Sequence, residues 1–330
     1  MNMETENKEQ KNFVIPRFED IPVSTKTSIV MTNISFDIHK LFETLPITEY
    51  TVIPKKRGRK KKTLSSDPNK DIPDGSIITI ELEGNVRGVK LKKKKKSTAK
   101  KGEDYFRNSV TIVMVMDNKQ INFKISRNGK FQMTGCKNDG HSESCVACVW
   151  RYIKDNPEIY KFEGDFSPTS PVIGKRKNKK NTFTALFIPA MRNIDFGLGF
   201  QIDREKLDRY FNTKTDYCSL LETSIGYTGV NIKIPFKKPI TDLRLRNLVW
   251  DKKKDNWCKP EIVTFDYYLD MLKPKEKEKK LKKERYHTFL VFQSGKTIMS
   301  SLCEEFARDT YYEFMAKIRD NFKTFQEKLD

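Results

Sequence analysis

Cys136, His141, Cys145 and Cys148 place four soft ligands at relative positions 0, 5, 9 and 12, and thiolates with imidazole suit zinc. The pattern falls short of a strong zinc signal, which has two spaced Cys/His pairs with a loop between them. Here the last three residues share one expected helix, so buried, inert cysteines are the competing reading. His39, His141 and His287 have no triad spacing, no glycine-rich phosphate loop occurs, and Asp155 and Asp320 are matching helix ends. No catalytic set and no cofactor site emerge, and the chain reads as a non-enzyme. Its chemistry is cationic. The formal net charge is +20, which points to a polyanionic partner, most often nucleic acid. Residues 55–62 (KKRGRKKK) carry seven positive charges, 90–101 (KLKKKKKSTAKK) eight and 175–180 (KRKNKK) five, while 273–285 (KPKEKEKKLKKER) has eight against three acids. Outside these tracts the net charge is −5. Such runs have no apolar residues to bury and repel themselves, so all four are expected to be solvated, disordered loops that can grip phosphate by counterion release.

What positions these residues is a repeat. Met31-Thr-Asn33-Ile34-Ser-Phe36 reappears as Met191-Arg-Asn193-Ile194-Asp-Phe196, 160 positions later. Phe123-Lys-Ile125-Ser-Arg-Asn-Gly129-Lys130-Phe-Gln-Met133 recurs as Phe289-Leu-Val291-Phe-Gln-Ser-Gly295-Lys296-Thr-Ile-Met299, and Ile153-Lys-Asp155-Asn156 as Ile318-Arg-Asp320-Asn321, at offsets of 166 and 165. Three matches in one order imply a duplicated unit of about 165 residues, too long for a solenoid repeat and suited to two copies of one fold about a pseudo-dyad. The expected organisation is a disordered tail over 1–21, a first copy over 22–160, a basic linker over 161–180 and a second copy over 181–330.

Each copy reads as strand, helix, several antiparallel strands, helix. In the first, residues 27–36 are an expected strand, and Ile38, Leu41, Phe42 and Leu45 space a short helix. Residues 75–84, 109–117 and 121–126 follow as strands, Asn128-Gly129 as a tight hairpin turn, and a helix from about Ser142 to Lys154 closes the copy. In the second, Asp203 caps a helix with Leu207, Tyr210 and Phe211 on its apolar face, EIVTFDYYL (261–269) and TFLVF read as strands, and a helix runs from about Glu304 to Lys328. The class is α+β, with helices on one face of each sheet and the other face open.

The residues around each hairpin resemble the TATA-box-binding protein family, saddle-shaped transcription factors built of two such repeats. The family's I-F-x-S-G-K-x-x-x-T-G-A-K pattern is echoed by Ile125-Ser126-Arg-Asn128-Gly129-Lys130-Phe-Gln-Met-Thr134-Gly135-Cys136-Lys137 and by Val291-Phe292-Gln-Ser294-Gly295-Lys296-Thr-Ile-Met-Ser300. Its F-P-G-L-I-Y-R-M segment is echoed by Tyr227-Thr-Gly229-Val230-Asn-Ile232-Lys233-Ile234. The resemblance spans about two thirds of the chain and is greatest to divergent versions carried by large DNA viruses. It implies minor-groove binding by the open sheet face, where asparagine donors and apolar surface read A·T pairs and phenylalanine wedges kink the duplex. The implied asparagines are Asn33 and Asn193, or Ser28 and Met191 under a different gap. The second-copy wedges are Tyr227 and Phe292. The matching first-copy positions hold Ser109 and Ser126, so an asymmetric kink is expected unless Phe106, Phe123 or Phe131 substitutes. Lys130, Lys296 and Lys233 would contact phosphate, and Thr134 and Ser300 would face the groove.

The implied role is a general initiation factor that bends A·T-rich promoter DNA and recruits a factor IIB-like protein and RNA polymerase. Arg57-Gly58-Arg59 also resembles the AT-hook core, which enters an A·T minor groove, and its tract resembles a nuclear localisation run. The rival reading is a sequence-neutral packaging or architectural protein that binds through its lysine tracts. No apolar run of 18 residues occurs, the first residues lack a secretory pattern, and six sparse cysteines suit a reducing compartment. The nucleus or a cytoplasmic viral factory is the expected location, and secretion is not.

Overall fold

The computed structural model describes residues 15–52, 69–90, 107–163, 181–221 and 229–327. The tracts at 55–62 and 175–180, nearly all of 90–101, and Tyr227 and Phe106 lie outside the described residues. The chain divides into two compact units. Unit 1 comprises Met1–Lys26, Pro189–Leu243 and Leu272–Asp330, and unit 2 comprises Thr27–Ile188 and Arg244–Met271.

Unit 2 carries β1 (Val23–Thr32, from Thr27 onward), β2 (Ile34–Phe36), α1 (Ile38–Thr44), β3 (Ile77–Leu82), β4 (Asn85–Gly88), β5 (Ser109–Met116), β6 (Lys119–Ser126), β7 (Lys130–Cys136), α2 (Asp139–Ile153) and β8 (Tyr160–Phe162). Its strands lie in the order β4-β3-β5-β6-β7-β1. Unit 1 carries the second half of β9 (Thr184–Gly197), α3 (Arg204–Lys214), β10 (Cys218–Leu221) and β11 (Gly229–Pro235). The inserted β12 (Arg244–Asp251), β13 (Asn256–Trp257), β14 (Glu261–Thr264) and α4 (Phe265–Asp270) belong to unit 2. Back in unit 1 follow α5 (Pro274–Lys282), β15 (Tyr286–Phe292), β16 (Lys296–Ser301), α6 (Glu304–Asp320) and α7 (Phe322–Phe325), and its strands lie in the order β10-β11-β15-β16-β9. Leaving out β4 at the edge, both units place their strands second, third, fourth, fifth, first. The architecture is α+β with antiparallel pairing.

Backbone bonds repeat with the topology. Phe36 N–H donates to Arg127 O at 2.7 Å, and Ile202 N–H to Gln293 O at 2.8 Å. Asp37 N–H donates to Ile159 O and Asp203 N–H to Phe325 O, both at 2.8 Å. Asp37 and Asp203 each cap the following helix, accepting backbone N–H groups that the helix leaves unpaired. The hairpin glycines Gly129 and Gly295 hold φ of +74° and +77°, and a Cβ on them would lie 1.9 Å from Ile34 O and 2.2 Å from Phe200 O. Every one of these pairs is separated by 166 positions. That register overturns the pairing of Asn33 with Asn193, which needs 160; it puts Gly199 opposite Asn33 and Thr27 opposite Asn193.

Three further expectations give way. Residues from Ile15 to Ile21 are not a disordered tail: Phe18 is fully buried beside Tyr311, its N–H donates to Tyr312 Oη at 3.1 Å, and the Arg192 guanidinium stacks on its ring. The 273–285 tract is not a disordered loop, because Glu276 and Glu278 interrupt its lysines and α5 forms after Pro274, with Lys282 paired to Glu278 at 2.6 Å. The expected strand over 261–269 is a strand only to Thr264 and a helix from Phe265. Its neighbour β12 pairs with β9 over Thr184–Phe187 and builds an aromatic core under α2, where Trp150 stacks on Phe183 at 4.3 Å and Trp257 Nε1–H donates to Glu143 O. No helix among the described residues is long and apolar enough to cross a membrane.

Candidate nucleic-acid interface

A strand alternates its side chains between two faces, and directly paired residues share one. In β15, His287, Phe289 and Val291 are buried, with Phe289 stacked on Phe314 of α6 at 4.0 Å. Thr288, Leu290 and Phe292 therefore point away from the helices. Their partners are Lys233, Asn231 and Gly229 on β11, and Ser300 and Ile298 on β16 face Thr288 and Leu290. Asn193 pairs with Ser300, Asp195 with Ile298, and Leu220 of β10 with Asn231. Gly229 makes room for this surface: a Cβ there would meet Leu290 Cδ1 at 2.7 Å. The face thus holds Leu220 (57% exposed) with half-buried Leu290, Phe292 and Ile298, two asparagines, and exposed Lys233 and Lys296. Asp195 supplies an acid, whose Oδ1 accepts from Ser24 Oγ at 3.1 Å.

Of the sequence-derived residues, unit 1 brings together Asn193, Lys233, Phe292 and Ser300, with Lys296 at the hairpin. Asn193 and Asn231 each bury Oδ1 without a hydrogen-bond partner among the described residues. Asn231, Leu220, Leu290 and Ile298 were missed, although strict alternation through 218–221, 229–235, 286–292 and 296–301 places them once one buried residue per strand is known.

The first-copy residues sit differently. Asn33 is buried and its amide is committed at both ends, donating to Thr182 O at 2.8 Å and accepting from Thr184 N–H at 2.9 Å. Ser28 is also buried. Thr134 is exposed and donates to Asn122 O at 3.1 Å, and Lys130 is half-buried at the hairpin. Ser109 pairs with Ser126 where unit 1 pairs Gly229 with Phe292. Phe123 and Phe131 lie in the helix-side core, stacked at 6.2 Å, and are not available as wedges.

Cys136 and Cys145 are buried, and burial pushes the Cys145 thiol well up, which disfavours the thiolate a metal needs. His141 Nδ1 accepts from Lys137 N–H at 3.4 Å, and its Nε2 lies 2.7 Å from Asp117 Oδ2. No group of three or more His, Cys, Asp or Glu residues among the described ones is placed to hold a metal. In unit 1, His287 is buried against Phe236 with Nδ1 2.9 Å from Ser301 Oγ, and desolvation lowers its pKa to about 4 against a weaker opposing pull from Glu313.

No family model matches the chain. An uncharacterized protein of Invertebrate iridescent virus 6 is 26% identical over 240 residues, covering 71% of this chain and 66% of that protein. A TATA-box-binding protein-like protein of Acanthamoeba polyphaga mimivirus is 33% identical over 166 residues, covering 44% of this chain and 40% of that one. The alignments thus span less than two thirds of either relative. A solved chain of Methanococcus jannaschii TBP aligns over 92% of this chain and 99% of its own, with a TM-score of 0.41 and 11% identity, too loose a match to carry an argument. In sequence the chain is similar, in a divergent form, to a viral TATA-box-binding-protein-like protein.

Proposed function

We propose that the chain is a TATA-box-binding-protein-like initiation factor, without catalytic activity, that binds and bends A·T-rich duplex through the unit 1 sheet face. One observation carries this: an open antiparallel face pairs an apolar centre at Leu290, Phe292 and Ile298 with asparagine amides and flanking lysines. The minor groove offers acceptors and sugar walls, which amide donors and apolar side chains fit better than charge does. Phe292 and Tyr227 act as wedges, Asn193 and Asn231 face base edges with Ser300, and Lys233 and Lys296 neutralise phosphate. Recruitment of a factor IIB-like protein and RNA polymerase completes the role. Fluorescence anisotropy tests the reading: A·T-rich duplex binds more tightly than G·C duplex, and end-to-end energy transfer reports a bend. Equal affinity for both, lost at moderate salt, sinks it.

The rival sequence-neutral reading draws on α5, a lysine-rich helix with no buried side chain. It wins if neutralising the lysine tracts abolishes binding while Phe292→Ala changes nothing.

A further inference from the structure

Part of the unit 2 sheet face opposite its helices is covered by the chain itself. On β5, Ile112, Met114 and Met116 join the helix-side core, yet Val113 and Val115, of opposite parity, are also buried, at 3% and 6% exposure. They form a separate apolar cluster with Ile78, and Tyr50 and Ile72 pack on it. These two residues come from the segments flanking 53–68, and both segments are tied down. Tyr50 Oη accepts from Gln120 Nε2 at 2.9 Å, Asp117 N–H donates to Asp74 Oδ1 at 2.8 Å, and Val115 exchanges backbone bonds with Gly75 and Ser76 at 2.8 Å each. Thr51 and Asn69 bond each other twice, at 2.9 Å, joining one segment to the other.

We propose that this strap closes the unit 2 sheet to nucleic acid, so that duplex is read by the unit 1 face alone; the inference rests on the minor-groove reading above. A minor-groove reader needs bare apolar surface to press on sugars and base edges, and a wedge to hold a kink. Unit 2 has committed Ile78, Val113 and Val115 to its own chain and carries Ser126 where unit 1 has Phe292. Beyond the strap Asn122, Gln132 and Thr134 are exposed, and Ile29 and Met31 of β1 are half-buried. Seating a duplex there would expose three buried aliphatic side chains and break the strap's hydrogen bonds in exchange for groups that water already satisfies.

Hydrogen–deuterium exchange on the full chain with an A·T-rich duplex tests this. Protection is expected in peptides from 229–235 and 286–301 and not in those from 109–126. In parallel, Asn122→Glu with Gln132→Glu adds two carboxylates to the unit 2 face at exposed positions and should change affinity less than twofold. Lys233→Glu with Leu290→Glu on unit 1 should weaken binding more than tenfold. Protection of 109–126, or a fivefold loss from the unit 2 pair, overturns the inference and leaves the minor-groove reading standing. No duplex binding at all overturns both.

Discussion

Phe289 and Phe292 are three residues apart on one strand, so alternation sends them to opposite faces: one stacks on Phe314 in the core and the other stands on the open surface. Their substitutions should separate cleanly. Phe292→Ala should cost roughly 1–3 kcal/mol of A·T-duplex affinity, the range of a base–aromatic stack, with an unchanged unfolding midpoint. Gly295→Ala should do the reverse. Its φ of +77° and the Phe200 carbonyl at 2.2 Å leave no place for a Cβ, so a stability loss above about 2 kcal/mol is expected by denaturant titration. His287 makes unit 1 sensitive to mild acid. Its folded pKa near 4 lies below the ordinary 6.5, so between those values the unfolded chain binds a proton that the folded chain refuses. Stability should therefore fall as pH drops from 6.5 towards 4, by at most about 3 kcal/mol, and stay level above that window. His287→Gln should flatten this slope.

Among the elements, the insertion after β11 shows how far periodicity can mislead. EIVTFDYYL has the β-branched and aromatic look of a strand, but Phe265, Tyr268 and Leu269 are buried at helical spacing, and the helix wins where tertiary packing rewards that face. β12 was not legible because its partner, the first half of β9, is some sixty residues away. Its aromatic cluster is a firm structural anchor. Trp150→Ala removes a buried indole stacked on Phe183 and edge-on to Tyr160, and should destabilise unit 2 by about 3–5 kcal/mol in chemical denaturation. α5 shows the opposite limit: a charge run need not be disordered where acids interrupt it, and here Glu276 and Glu278 stand among the lysines and Glu278 pairs with Lys282.

At the scale of the whole molecule, the lysine tracts and the sheet face should contribute separable terms to binding. Removing residues 55–62 and 90–101 should lower the slope of log affinity against log salt by roughly 0.9 for each phosphate that the tracts had neutralised, while the ratio of A·T to G·C affinity is kept. A collapse of that ratio would mean that the tracts, and not the face, read the duplex. The duplication itself was visible in the chain, because hairpin glycines, capping aspartates and buried strand residues are local demands that each copy must meet again. The Asp203 cap and the two hairpins followed for the same reason. The register of the first strands was not visible: the matching Met-x-Asn strings lie 160 apart, whereas the folded copies repeat at 166, and only hydrogen bonds between distant strands decide between them. Tertiary structure alone also decided that Asn33 bonds Thr182 and Thr184, and that Tyr50 and Ile72 cover part of one sheet face while Leu290 and Phe292 stand uncovered on the other. Alternation along a strand is written in the sequence, but which face meets solvent depends on residues brought from elsewhere in the chain.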